Sequence, residues 1–236
     1  MIIKGSDEAR DKDIRIINCE ESYIYINTYI RQVSFINCKE VTCLVAASSK
    51  LCTMDKCDTC TLVISSNLLR IGNSVDCSIH AYVPMPPVLY GDNRGLTLGP
   101  LNVFYPDLPA QIERAGIPLA VQNPKCAHNW SSPINMNSEG TSFNLLQPKD
   151  FFKLALPQVL NPQEPSPSLT PEQFVNAIRI REEYFANIQN MISRANLTEE
   201  QEKRLQMAIQ GYFREWLIST GLVKAPTELV RMIDQE

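Results

Sequence analysis

Short β-favouring runs alternate with small polar breaks along the first hundred residues, and the pattern recurs. Tyr23-Ile24-Tyr25-Ile26 is followed by Val33-Ser34-Phe35-Ile36, and Thr61-Leu62-Val63-Ile64 by Leu68-Leu69-Arg70-Ile71. Ile16-Ile17-Asn18-Cys19 returns as Phe35-Ile36-Asn37-Cys38, then weakly as Met54-Asp55-Lys56-Cys57 and Ser74-Val75-Asp76-Cys77. Cys19, Cys38, Cys57 and Cys77 are therefore spaced 19, 19 and 20 residues apart. A period of this length made of short strands predicts a solenoid whose coils stack, with like residues in columns about 4.8 Å apart. We expect a parallel β-helix over residues 10–108, its last regular coil closing near Tyr105. A leucine-rich repeat has a similar period, but its Leu-x-x-Leu-x-Leu frame is missing. An antiparallel sandwich stays open as the plainer alternative, although Gly and Pro turn signals are nearly absent before Gly72.

Beyond the coils the pattern changes twice. Pro109, Pro118, Pro124 and Pro133 exclude long helices, and Pro157, Pro162, Pro165, Pro167 and Pro171 stiffen the stretch from 157 to 171. Residues 109–170 are read as an extended, Pro-rich connecting segment lying over the coils. Residues 171–221 are read as a C-terminal α-helical hairpin. Thr170-Pro171-Glu172-Gln173 and Thr198-Glu199-Glu200-Gln201 are capping boxes, the first with proline at the first helical position. Phe174, Ile178, Phe185, Ile188 and Ile192 recur at helical spacing in one helix, and Leu205, Ile209, Phe213, Trp216 and Leu217 in the other. So short a connection implies antiparallel helices whose apolar stripes face each other or a common surface. Tyr212 and Trp216 are the binding anchors if the hairpin docks elsewhere.

Composition narrows the function classes. The chain has 236 residues, 44% hydrophobic and 20% charged, with net charge −4, which excludes disorder throughout. No apolar run approaches the roughly 20 residues of a membrane span. Met1-Ile2-Ile3-Lys4-Gly5-Ser6-Asp7-Glu8 is no signal peptide, so an intracellular protein is expected. Without a basic stripe, no nucleic-acid partner is expected. Eight cysteines then read as reduced thiols. Cys57-x-x-Cys60 beside Cys52 suits either zinc or simple burial. Burial is favoured, because His80 and His128 offer no pair at ligand spacing, and neither a metal nor a cofactor is expected. Cys126 stands alone and is assigned no catalytic role.

The run from Ile14 to Leu108, with its coils, Leu69-Arg70-Ile71, and Leu96-Thr97-Leu98-Gly99-Pro100 leading to Phe104-Tyr105-Pro106, resembles the domain of tubulin-folding cofactor C and cyclase-associated proteins. The resemblance implies a right-handed parallel β-helix. The ending Tyr212-Phe213-Arg214-Glu215-Trp216-Leu217 resembles one branch of that family, whose members carry a long region before the β-helix. A chain that opens inside the domain is thus expected to be a fragment or a shortened form. The branch implies a non-enzymatic, cytoskeleton-associated protein of the cytoplasm, at centrosomes, spindle poles and basal bodies. Its partners would be centrosomal or microtubule-associated proteins, and its effects would fall on centrosome and Golgi positioning, cell shape and migration.

The wider family implies an alternative: GTPase activation of tubulin or an Arf-like small GTPase by an arginine finger. The family motif is Gln-x-Arg. Here Arg70 occupies the finger position and Leu68 the glutamine position. The chain has no Gly-x-x-x-x-Gly-Lys phosphate loop, so any such activity would need a GTPase partner. The actin-binding role of cyclase-associated proteins ranks third, because the C-terminal third here is helical. Binding candidates are therefore Arg70, Tyr212 and Trp216.

Overall fold

Every strand pairing in the computed structural model is parallel, so consecutive strands can be joined only by going round a coil. The structure describes residues 2–4, 11–119, 129–136, 143–195 and 197–219. The strands are β1 (Ile2–Lys4), β2 (Asp13–Ile17), β3 (Tyr23–Ile36), β4 (Thr42–Asp55), β5 (Thr61–Gly72), β6 (Ser78–Tyr82), β7 (Val88–Tyr90), β8 (Leu96–Pro100), β9 (Ile134–Asn135) and β10 (Phe143–Leu145). Together they form a parallel β-helix, as the repeat predicts.

Each long strand serves two sides of its coil. Tyr23–Ile26 of β3 pairs with Thr42–Val45, building the first side, and Gln32–Ile36 pairs with Leu51–Asp55, building the second; register shifts between them mark the bend. The chain then passes through a left-handed corner at Asn18, Asn37, Lys56, Asn73 and Gly91. A few residues later comes another, at Glu21, Glu40, Thr59, Asp76 and Gly95. The short third side between the corners stacks Glu20, Lys39, Asp58, Val75 and Arg94, whose largely alternating charges favour the pairing.

This geometry explains the Ile-Asn-Cys motif. The isoleucine ends the second side, asparagine tolerates the left-handed corner better than most residues, and cysteine turns inward. The corner asparagines also stack: Asn37 Nδ2 donates to Asn18 Oδ1 at 2.8 Å.

Inward positions stack in register. One column is Ile16, Phe35, Met54, Ile71 and Leu89; another is Ile24, Cys43, Leu62, Ile79 and Leu98. All are buried.

The four-cysteine spacing is corrected at its last member. Cys19, Cys38 and Cys57 share a column, but its next occupant is Ser74, because Lys39, Asp58 and Val75 are the bridged neighbours one position further on. Ser74 Oγ accepts from the Cys57 N–H at 3.2 Å. Cys77 stacks on Cys60 instead, the Ser78 N–H reaching the Cys60 carbonyl and the Thr97 N–H the Cys77 carbonyl. The reason is that β5 has 12 residues where β3 and β4 have 14, which shortens that coil.

Residues 109–170 are part of the same compact unit, which runs from Met1 to Ile180. The outward side chains Tyr25, Leu44 and Val63 of the first side are covered by Leu101–Tyr105, by α1 (Leu108–Arg114), and by Leu160 and Leu169. β9 then extends the second side from β7, and β10 the first side from β8, adding a partial coil. The open end is closed by aromatic rings: Phe151 and Phe174 stand edge-on at 5.1 Å between centroids, and Trp130 and Phe174 at 5.8 Å.

His80 lies at this end, its ring 6.4 Å from that of Phe151, with Nδ1 donating to the Pro100 carbonyl at 3.3 Å. Burial lowers its pKa from 6.5 to about 4, the Pro100 hydrogen bond opposing. The unfolded chain therefore takes up this proton below pH 6.5 while the folded chain does not until about 4. Stability is full above that window and falls as the pH drops through it. Allowing for the part of the residue still reached by water, we expect a loss of about 1–2 kcal/mol between pH 7 and 5 that His80→Gln removes. Urea titrations of both proteins at the two pH values check it, and parallel losses would refute it.

Phe174 and Ile178, in the first turns of α2 (Glu172–Arg194), belong to the solenoid core. Thr170, read as the N-cap, instead directs its hydroxyl to the Leu101 carbonyl at 2.9 Å. A second unit begins at Arg181 and contains the rest of α2 and α3 (Glu199–Ser219). The capping box of α3 forms, with Gln201 Oε1 accepting from the Thr198 N–H at 2.9 Å and the Gln201 N–H reaching Thr198 Oγ1. Both helices lie where the pattern places them. Little of either stripe is buried, however: Ile188 and Leu205 are half-buried, whereas Phe185 and Ile192 on α2 and Ile209 and Phe213 on α3 are exposed. An apolar period defines a face without saying what covers it. No helix among the described residues is long and apolar enough to cross a membrane.

Candidate docking face

Strand alternation decides which way Arg70 points. In the second half of β5, Leu69 and Ile71 are inward and buried, so Leu68 and Arg70 face outward. Parallel register then surrounds Arg70 with Thr53 and Ser34 on one side and Val88 on the other, and places Leu68 beside Leu51 and Gln32. Arg15 lies beyond Ser34, and Ile134 beyond Val88, so the row runs across the whole outer surface of the second side.

The guanidinium is held but not neutralised. Its Cζ sits 4.8 Å from the centroid of the Tyr90 ring, a cation–π contact. Gly72 makes room for that ring, since a Cβ at position 72 would run into it. The Asp55 carboxylate lies near the Tyr90 hydroxyl. Burial, then the charge and hydrogen bond of Asp55, raise the Tyr90 pKa, while the charge of Arg70 opposes them. Asn73 Nδ2, at the corner, donates to Asp55 Oδ1 at 2.8 Å. Among the described residues no carboxylate forms an ion pair with Arg70.

Apolar surface flanks the charge. Ile17 and Leu68 are each 45% exposed on this side and Ile134 54%. An oriented arginine that shares its surface with exposed aliphatic side chains is the composition of a protein-binding surface.

Tyr90, Asp55 and Gly72 are not singled out by the sequence. The available signal is an aromatic residue 18 positions after a glycine that ends a β run, which becomes readable once the coil length is known. The hairpin candidates lie in the second unit. Tyr212 is 76% exposed and shares an apolar patch on α3 with Ala208, Ile209 and Phe213. Trp216 falls on α3, but its side chain is outside the described residues, as are Cys126 and His128.

The cysteines among the described residues line the interior rather than this face. Cys38, Cys57 and Cys60 each donate to carbonyls of their own and the preceding coil, and Cys77 to that of Val75. Burial pushes the Cys52 thiol up to about 12. A thiol of that kind is neither nucleophile nor ready metal ligand. Among the described residues no group of three or more His, Cys, Asp or Glu side chains has the arrangement to hold a metal ion.

The family model for tubulin binding cofactor C matches residues 11–129, a range that holds the coils from β2 to β8 and α1. The chain belongs to that family. Its similarity to curated relatives runs further, into the helices of the second unit. It is 27% identical over 226 residues to TBCC domain-containing protein 1 of Danio rerio, covering 93% of this chain and 38% of the relative. The namesakes from Gallus gallus and Homo sapiens are 27% and 26% identical over 224 residues, covering 93% of this chain and 39% of each. This member of the cofactor C family thus spans about two fifths of the length of the curated relatives it matches.

Proposed function

We propose that this protein is a non-enzymatic, cytoskeleton-associated binding module of the centrosome, spindle pole and basal body, acting in centrosome and Golgi positioning and so in cell shape. The observation that carries the reading is the extent of the similarity. It covers the coils and extends into the helices, so the likeness to these relatives is not confined to the β-helix. The tubulin-related family supplies the cytoskeletal setting. The outer surface of the second side supplies the means, because an aligned row of arginine and aliphatic side chains on a stiff β-ladder presents a preformed contact surface. The partner is a centrosomal or microtubule-associated protein. Depleting the protein and imaging centrosome position relative to the nucleus tests the reading; unchanged placement would refute it.

One observation favours a second reading. Arg70 is exposed, unpaired by any carboxylate among the described residues, and steadied by Tyr90, as an arginine finger needs to be. Single-turnover GTP hydrolysis by tubulin and by Arf-like GTPases separates the two. A binding module leaves the rate unchanged. An activator raises it by on the order of a thousandfold, and Arg70→Ala removes the gain.

A further inference from the structure

Among its described residues the second unit buries no large apolar side chain fully. Its two helices are nevertheless amphipathic. On α2, Tyr184, Phe185, Ile188, Met191 and Ile192 fall within an arc of roughly 120° at 100° per residue. On α3, Leu205, Ile209, Tyr212 and Phe213 fall within one of roughly 100°. Ile188 and Leu205 are half-buried, and the other seven are exposed. A helix in a folded protein is held mostly by what covers its apolar face, and a two-helix unit of this size is too small to build a core alone.

The area on offer matches that of a dimer interface. Tyr184, Phe185, Tyr212 and Phe213 are 65%, 58%, 76% and 56% exposed. At about 200 Å² per aromatic side chain they present roughly 500 Å², and Met191, Ile192 and Ile209 raise this to about 800 Å² per copy. Two copies placed face to face would cover about 1,600 Å², the size of a stable specific interface.

Charge selects the occupant. Residues 181–219 hold five Lys or Arg and six Glu, a net of −1. A lipid surface asks for a basic polar face and nucleic acid for a basic stripe, and neither is there. A strongly charged protein finds no opposing field to steer it. A second copy needs no such field and meets no net repulsion. Its stripes have the same width and length, so one two-fold contact satisfies both chains at once. It also brings two further helices, the number that closes a four-helix bundle around a single apolar core.

We propose that two copies of this chain associate through the apolar faces of α2 and α3, the four helices forming one bundle. Sedimentation equilibrium of the full chain tests this. Between about 1 and 100 μM the average mass should rise from one chain towards two, with a dissociation constant on the order of 10 μM. Tyr212→Glu sets a carboxylate in the middle of the face and should weaken association by about tenfold or more. Met207, 63% exposed, lies on the opposite side of α3. Met207→Glu makes the same change of charge and should alter the association by no more than about twofold. Neither residue belongs to the solenoid core, so both variants keep the coils. A chain that remains single at the highest concentration overturns the proposal and assigns the helices to another cover. A dimer that Tyr212→Glu leaves intact, or that Met207→Glu weakens equally, overturns it as well.

Discussion

Truncating Phe35 to alanine is expected to lower the free energy of unfolding by about 3–5 kcal/mol, a large part of the stability of a domain of this size. Phe35 has no exposed surface and sits in a column between Ile16 and Met54. Its strand is paired on both sides, to β2 and to β4, so the coils cannot slide together to fill the space left behind. Solenoid stability also depends on contacts between neighbouring coils, and a void in one column weakens two interfaces at once. Equilibrium urea unfolding checks the value. A loss below about 1.5 kcal/mol would mean that the column is not close-packed. Ile17→Ala, in the same motif but facing outward, should stay within about 0.5 kcal/mol of the parent.

The second large effect concerns function and should leave stability alone. Leu68→Asp combined with Arg70→Glu replaces the aliphatic and cationic centre of the docking face with two acids. Both side chains are exposed, and neither contributes to the interior columns, so the melting temperature should remain within a few degrees of the parent. Binding through this face should fall by about 30-fold or more, because central arginine and aliphatic anchors dominate such interfaces, and a reversed charge repels what the native charge attracted. In cells depleted of the protein, wild-type chain should restore centrosome placement and the double variant should not. Full rescue by a folded double variant would remove this face from the function and shift attention to Tyr212 and its neighbours on α3.

Much of this fold is legible in the residues because a solenoid is locally determined. Each coil repeats the same two β runs and the same corner, so Ile16–Cys19 and Phe35–Cys38 announce one geometry twice. The cysteine period misleads at its end. Ser74 takes the place of cysteine in the fourth coil, where its hydroxyl accepts from Cys57 and donates to Gly72. Nothing in the spacing distinguishes that from a cysteine displaced by one. The shortening lies in the bend between the two sides, where Val45 pairs with Ile64 but Ser48 with Ser66, and bends carry no hydrophobic period.

The candidate site is half legible. Arg70 is visible as a residue, and its outward direction follows from alternation with Leu69 and Ile71. Its support is not visible. Tyr90 reaches it from the next coil across Gly72, and Asp55 reaches Tyr90 from the preceding one. Those contacts depend on register, which a change of two residues in coil length resets.

The stacked coils, the two C-terminal helices and the resemblance to the cofactor C family are readable in the residues alone. They rest on short-range patterns: a repeat period, side-chain alternation and capping. What the folded chain adds is that β9 and β10 form a partial coil, that Phe174 and Ile178 close the end of the solenoid, and that Phe185, Ile192 and Ile209 of the second unit stay exposed. The reason is common to all of these. A hydrophobic period says that a face must be buried, whereas the identity of its cover is set by contacts between residues far apart in the chain, each chosen by the geometry of the whole stack.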